Sequence, residues 1–132
     1  MTLHVELVAP EGEIWAGDAQ RVIAKTLDGD IGILTGHTPV LGILAEGNVV
    51  RILPAGEQPG AEVLTAVSGG FLAVAGDRVS ILVRQAQLGS AVDRAEAQSA
   101  LDVALEAAGP GGDETADIRY LRAQLRAAGD RA

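Results

Sequence analysis

The sequence has 132 residues, a net charge of −8 and no cysteine, and 48% of its residues are hydrophobic although Trp15, Phe71 and Tyr120 are its only aromatic residues. This length allows one hydrophobic core with a small appendage, and the core is expected to be aliphatic. The negative charge excludes nucleic acid as a partner because phosphates would be repelled, and the lack of thiols excludes disulfides and thiolate metal sites.

Short apolar or alternating segments separated by glycine-rich turns occupy the first two thirds of the chain. Residues 3–9 alternate apolar and polar side chains, which predicts a half-buried strand. A turn at Gly17-Asp18 is expected to separate the next short segment from a strand. The further strands are predicted at residues 20–27, 48–53, 61–67, 71–75 and 79–84. This pattern favours an antiparallel β-sandwich, or flattened barrel, over residues 1–88.

The stretch from residue 28 to residue 44 joins two apolar runs, 31–34 and 40–44, through the turn Gly36-His37-Thr38-Pro39. Pro39 fixes its own φ and biases Thr38 towards extended geometry, so the turn should present His37 from a stiff corner. Few polar side chains converge on this loop, which suits docking better than catalysis. A hydrogen-bonded turn histidine remains an equal alternative for His37.

Helical periodicity begins after Leu88-Gly89. Ser90 followed by Asp93 resembles a capping box, and helical residues run to residue 108 before a glycine-rich stop at 109–112. A second helix is predicted at residues 115–128, so residues 89–132 form a helical hairpin. One face of this helix is apolar and another carries three arginines. The apolar positions are Ile118, Leu121, Leu125 and Ala128, and the basic ones are Arg119, Arg122 and Arg126. Such a basic face is usually solvated, but on so short a helix it favours docking against an acidic surface.

Signals for catalysis or metal binding are weak. No phosphate-binding G-x-x-x-x-G-K-[ST] motif occurs, and Ser68 in A-V-S-G-G lacks the first glycine of a nucleophile elbow. A hydrolase using Ser68 and His37 would lack an acidic residue to orient the histidine. His4 is expected on a solvent-facing side of its strand, and neither histidine has an acidic partner at metal-ligand spacing. No apolar run reaches the roughly 20 residues of a membrane span, and the first residues do not resemble an export signal.

Four segments in order resemble the epsilon subunit of the F-type ATP synthase. They are V-A-P-E-G-E-I-W-A-G (8–17), G-D-I-G-I-L-T-G-H-T-P (29–39), L-A-E-G-N-V-V-R-I (44–52) and V-S-G-G-F-L-A-V (67–74). The resemblance covers nearly the whole chain and implies a sandwich followed by two helices. It implies a non-catalytic rotor subunit that joins gamma to the membrane ring of c subunits at the cytoplasmic face of a bacterial membrane. The helices would restrain ATP hydrolysis through the alpha and beta subunits. The alternative is a free-standing β-sandwich adaptor that binds an unrelated protein.

The resemblance also assigns site residues. Asp30 takes the acidic position that touches the ring, and His37 takes the G-H-x-P position near gamma and the ring. Arg119, Arg122 and Arg126, beside the apolar Leu121 and Leu125, fall where the family's tail meets the catalytic head. No metal or cofactor is implied.

One departure from the family pattern concerns nucleotide. Some relatives bind ATP through an aliphatic-Asp-x-x-Arg-Ala motif, whereas this chain has Val92-Asp93-Arg94-Ala95-Glu96-Ala97, with Glu96 in the place of the arginine. A carboxylate there would repel the phosphates, so ATP binding is predicted to be weak or absent.

Overall fold

Seven strands and two helices make up the fold, which the computed structural model describes for residues 2–129. Residues 130–132, the end of the predicted tail, lie outside the described residues. The strands are β1 Leu3–Ala9, β2 Gly12–Thr26, β3 Gly29–Ile33, β4 Val40–Ile43, β5 Asn48–Pro54, β6 Val63–Ala75 and β7 Arg78–Leu88. A short 3₁₀ turn, Gly89–Ala91, leads to the helices α1 Arg94–Ala108 and α2 Ala116–Ala127.

The strands form a flattened barrel. Hydrogen bonds connect them in the order β1-β7-β6-β5-β2-β3, β4 pairs with β6, and β1 also pairs with β2 to close the path. Neighbouring strands are antiparallel except for β1 and β7, which run parallel. The predicted fold class, a sandwich followed by a helical hairpin, is confirmed. Neither helix in the described part of the chain is long and apolar enough to cross a membrane.

The interior is aliphatic, as the composition predicts. The alternation of β1 places Leu3, Val5 and Leu7 in the core, each at most 1% exposed. The other strands of the barrel also contribute residues to this core, including Val22, Ile33, Val50, Ile52, Leu72 and Ile81. Trp15 packs only against the margin of this core.

Two predicted strand breaks are wrong. The expected turn at Gly17-Asp18 lies inside β2, because the first half of that strand pairs with β1 and the second half with β3 and β5. The segments predicted at 61–67 and 71–75 form the single strand β6, which stays paired with β7 on both sides of Gly69. In both places long-range pairing overrides the local preference of glycine for turns.

The start of the first helix also differs from the prediction. Ser90 lies in the 3₁₀ turn, and Asp93 is the N-cap of α1, where its carboxylate accepts a hydrogen bond of 3.0 Å from the Glu96 N–H. Asp93 and Glu96 thus occupy the N-cap and N3 positions at which a capping box is built. The second helix has its predicted start, since the Thr115 hydroxyl accepts a bond of 3.2 Å from the Ile118 N–H.

α2 lies between α1 and the sandwich. Its residues Ile118 and Leu125 form an apolar cluster with Ala97 and Leu101 of α1. Its other side packs small residues onto the sheet. There Ala123 and Ala127 contact the cluster of Ala66, Val49, Leu64 and Tyr120. Burial raises the pKa of the Tyr120 phenol above its ordinary value of 10.0, and the nearby negative charge of Glu11 adds to this shift.

Gly47, just before β5, sets how closely α2 approaches the sandwich. Its φ is +66°, and a Cβ added there would overlap the Cβ and carbonyl carbon of Arg119. The Gly47 carbonyl accepts a bond of 3.0 Å from the Arg126 guanidinium. Glycine is therefore required both by the backbone conformation and by the helix above it.

Gly47→Ala is expected to displace α2 from the sandwich without unfolding the barrel. The matched control is Gly56→Ala, because Gly56 has φ +82° but no atom within 4 Å of an added Cβ. Both changes carry the strain of a left-handed alanine, about 1–2 kcal/mol, but only the first also forces a clash. Spectrophotometric titration of Tyr120, the only tyrosine, should show its pKa falling towards 10 in Gly47→Ala alone.

The raised pKa of Tyr120 makes the stability of the folded chain depend on pH in a defined direction. A raised folded-state pKa means that the packed helix favours the neutral phenol. The stability from this preference is complete below pH 10 and is lost as the pH rises through the folded-state pKa. If Tyr120 titrates identically in the two variants, the assignment of Gly47 as the contact that limits helix approach is incorrect.

Candidate functional site

Of the two residues assigned by the resemblance, Asp30 lies inside the short strand β3, near its start, and His37 lies in the loop beyond its end. Asp30 is an exposed residue near the start of β3, opposite Lys25 of β2, rather than a loop residue. His37 follows the other end of β3, in the loop before β4. The strand rises roughly 10 Å from Asp30 to its last residue, Ile33, and His37 follows four residues later in the loop.

The His37 loop is fixed to the turn between β6 and β7. The Gly36 N–H donates to the Asp77 carboxylate at 2.7 Å, and His37 Nδ1 lies 2.6 Å from the Thr38 carbonyl oxygen. Ser68 is buried in β6, seven residues before the end of that strand. These seven residues put roughly 23 Å of strand between Ser68 and the turn to which the His37 loop is fixed. The structure therefore does not bring Ser68 and His37 together as a catalytic pair.

All three predicted arginines of α2 make contacts within the chain. Arg119 lies 3.5 Å from the Glu46 carboxylate and donates to the Glu114 carbonyl at 2.8 Å. Arg122 pairs with the Glu114 carboxylate at 3.0 Å, and Arg126 donates to the sandwich at Gly47, as described above. In this arrangement Arg119 and Arg126 hold α2 to the sandwich, and their role towards other subunits stays a prediction.

Leu121 and Leu125 face the inside of the hairpin. Leu125 is 7% exposed, and Leu121 packs against the same cluster with α1. A partner could reach the buried Leu125 only after the hairpin rearranges, whereas Leu121 is half-buried, and the predicted role of both in partner binding is open.

The most exposed apolar surface of the sandwich was not assigned from the sequence. Ile43 of β4, Phe71 of β6 and Leu82 of β7 are directly opposite one another in the sheet register. They form a row across three strands on one face, and their exposed fractions are 51%, 53% and 54%. Leu41 extends the row along β4 and is 74% exposed. Contiguous apolar surface of this kind marks docking sites in soluble proteins.

We call Ile43, Phe71 and Leu82 the apolar row. A cavity of about 740 Å³ lies beside it. Ile43 and Phe71 form part of its apolar wall, together with Leu27, which is 69% exposed. Its remaining wall carries charges from both parts of the molecule. There the Glu46 carboxylate pairs with Arg84 of β7 and Arg119 of α2. The cavity therefore adjoins the contact that holds the hairpin in place.

A second cavity, of about 340 Å³, lies where the hairpin meets the end of the sandwich. Its ionisable lining residues are Asp93 and Glu96, and no lysine or arginine lines it. This is the region where the family motif for ATP would fall. The electrostatics of the described lining oppose a polyphosphate, since both charges are negative.

The described residues also bear on metal binding. Residues 2–129 contain no group of three histidine or acidic side chains placed to hold a metal ion. His4 has acidic neighbours that the sequence did not reveal, because Glu6 lies 3.3 Å and Asp18 lies 3.5 Å from its ring. Asp18 comes from the paired strand β2, so only the register brings it close to His4.

Residues 2–89 match a protein family described as the β-sandwich domain of the ATP synthase delta/epsilon chain. The chain belongs to this family. Two bacterial relatives extend the similarity beyond the sandwich. An ATP synthase epsilon chain of Thermobifida fusca is 49% identical over 127 residues, covering 96% of this chain and 91% of the relative. One from Streptomyces griseus is 41% identical over 125 residues, covering 94% and 97%.

A further family member is much shorter. The epsilon chain of Frankia casuarinae is 47% identical over 88 residues, which are 99% of that relative but 67% of this chain. Its length is close to that of the sandwich without the hairpin. This size difference indicates that the sandwich is the common unit of these two family members.

Solved structures support the fold. A chain in the mitochondrial ATP synthase of Euglena gracilis superposes with a TM-score of 0.70 at 22% identity, covering 98% of this chain and 78% of that one. A chain in the central stalk and c-ring structure from Tetrahymena thermophila gives a TM-score of 0.61 at 21% identity, covering 99% and 92%. The fold of this chain, a sandwich together with a hairpin, thus occurs in other solved structures.

ATP is expected to bind the isolated chain weakly or not at all. The cavity beside Asp93 and Glu96 has no cation to compensate the phosphates, and two like charges 4 Å apart repel by about 1 kcal/mol even in water. Calorimetric titration with ATP is the measurement, and saturable micromolar binding would contradict the prediction. Glu96→Gln removes the charge alone, whereas Glu96→Arg also supplies a donor. Only the arginine variant should gain measurable affinity.

Proposed function

We propose that the chain is a non-catalytic subunit of the ATP synthase central stalk, joining the gamma subunit to the membrane ring of c subunits. The observation that carries the proposal is the apolar row of Ile43, Phe71 and Leu82 on a chain of the delta/epsilon family. A subunit with this role must expose a stable docking surface, and it needs no reactive centre. The chain would act peripherally at the cytoplasmic face of a bacterial membrane.

Gamma is the partner that we assign to the apolar row. The row lies on three hydrogen-bonded strands, so it is rigid before binding and loses little conformational entropy on docking. Its aromatic member, Phe71, is flanked by Ile43 and Leu82, an arrangement typical of the buried centre of an interface. Asp30 and His37 stay proposed contacts with the ring and gamma, each from its own end of β3.

The hairpin is proposed to restrain ATP hydrolysis. Its arginines and its apolar stripe would contact the alpha and beta subunits, which requires α2 to leave the sandwich. The contacts to be exchanged are both polar and apolar. They include Arg119 with Glu46 and Arg126 with the Gly47 carbonyl, beside the small apolar contact of Ala123 and Ala127 with Ala66.

A free-standing adaptor is the second candidate. It would use the same apolar row with an unrelated partner. Matches to epsilon chains over 91% and 97% of their lengths favour the stalk subunit instead.

Replacing both Phe71 and Leu82 with serine should weaken binding to the ATP synthase catalytic subassembly that contains gamma and lacks this chain. Loss of two central apolar contacts typically reduces binding by about 2 kcal/mol or more, or roughly 30-fold in Kd. Surface plasmon resonance on the immobilised subassembly gives the value.

Val103→Ser is the matched control, because Val103 is 68% exposed on α1, away from the row. It should bind like the unmodified chain. Thermal unfolding of both proteins checks that the folded state is retained. An equal affinity for the double variant and the control would remove the apolar row from the proposed interface.

Removing the hairpin should raise ATP hydrolysis by the assembled enzyme while leaving incorporation of the subunit intact. Two truncations, one before Asp113 and one after Ala91, remove α2 alone and both helices. Replacing the arginines is a less direct test, because Arg119 and Arg126 also hold α2 to the sandwich. Incorporation of the shorter form is expected because one epsilon chain of the family has only about the length of the sandwich. Equal hydrolysis rates with full-length and truncated subunits would refute the restraint.

A further inference from the structure

A groove of about 280 Å³ runs beside α2 on the outside of the sandwich. Three cations from three different elements line it: Lys25 of β2, Arg51 of β5 and Arg126 of α2. Among the described residues, Asp30 is the only carboxylate in its lining. The groove is therefore a positive region on a chain whose net charge is −8.

Two of these cations have no partner within the described chain. Neither Lys25 nor Arg51 makes a side-chain hydrogen bond or ion pair with another residue of 2–129. By contrast, Arg21 and Arg84 on the same barrel are paired with Glu62 and Glu46. Of the five lysine and arginine side chains of the sandwich, these two are in ion pairs, Lys25 and Arg51 lie beside one groove, and the fifth, Arg78, lies at the turn between β6 and β7.

Arg126 is held in position at the groove. Its guanidinium donates to the Gly47 carbonyl at 3.0 Å, and the remaining N–H groups of its fork stay available to a second acceptor. The groove is thus complete only while α2 lies on the sandwich.

The groove adjoins the apolar cavity, because Lys25 and Asn48 line both. A partner seated on the apolar row would therefore extend towards Lys25 and then towards Arg51. The cations are supplied by separate elements along the groove, which suits several carboxylates on one protein segment. Asp30 would repel a phosphate and a carboxylate alike, so the preference for a protein segment rests on the apolar cavity beside the groove.

We infer that the protein bound at the apolar row carries an acidic segment, and that this segment occupies the groove of Lys25, Arg51 and Arg126. The inference rests on the proposed function and adds the charge of the partner surface. It also makes α2 part of the interface while the hairpin is docked, so the partner contacts both the sandwich and the tail. Charge pairs at the rim of an interface act mainly on the association rate and on its salt dependence.

The test is binding to the catalytic subassembly that contains gamma, measured over a range of salt concentrations. Lys25→Glu with Arg51→Glu should weaken binding by roughly tenfold at low salt. The association rate should fall, and the dependence of binding on salt should flatten. Arg78→Glu is the matched control, since Arg78 is an exposed cation at the turn between β6 and β7. It should change binding little. If the double variant and the control have the same affinity and salt dependence, the inference is wrong.

Arg126→Gln tests the contribution of the helix. It should reduce the salt dependence as well, provided that the raised pKa of Tyr120 shows α2 still docked. If Tyr120 titrates near 10 instead, the chain truncated before Asp113, which lacks α2, replaces this variant and should also show a reduced salt dependence of binding. Unchanged salt dependence in a variant with α2 docked would remove the helix from the groove.

Failure of this inference differs from failure of the proposed function. The serine variants of Phe71 and Leu82 test docking at the apolar row, and only the charge variants test the acidic segment. Inorganic phosphate is the probe for the small-anion alternative. One result would overturn the inference in favour of a phosphate site. Millimolar phosphate would protect the chain against thermal unfolding, and Lys25→Glu with Arg51→Glu would abolish this protection without changing binding to the subassembly.

Discussion

Both surfaces of this molecule depend on β6 remaining one continuous strand through Gly69 and Gly70. An added Cβ on Gly70 would overlap the Leu82 carbonyl oxygen, so glycine permits the close approach of β6 and β7 at this point. The first half of β6 carries Ala66 beneath α2, and the second half carries Phe71 in the apolar row. A break between them would separate the surface that holds the hairpin from the surface offered to a partner.

The sequence predicted local features well because they depend on local chemistry. Alternation in residues 3–9 gave β1, and threonine before the second helix gave its N-cap. The apolar row could not be recognised in this way, since Ile43, Phe71 and Leu82 have the spacing of ordinary strand residues. Only the register of three strands shows that they are adjacent and exposed. The strand breaks predicted at positions 17 and 69 were wrong for a related reason, because the strand partners of these glycines are distant in the sequence.

Charge is distributed so that one face serves several contacts. Glu46 pairs with Arg84 of the sandwich and Arg119 of the hairpin, while Lys25 and Arg51 lack partners in the described chain. Ion pairs exposed to this extent are worth little individually, about 1 kcal/mol or less. The docked hairpin therefore depends mainly on the close packing of Ala123 and Ala127 against Ala66 and on the close approach of Arg119 to Gly47, with charge setting its alignment.

The parallel pairing of β1 with β7 has a consequence for how the chain is made. The first strand to leave the ribosome can pair with β2 at once, but its pairing with β7 must wait until the last strand of the barrel has been synthesised. Non-local pairing of this kind slows folding, because a long loop must close before any contact repays its entropy. The hairpin follows β7 in the chain and needs β5 and β6 as its support, so during synthesis it is the last part to find a place.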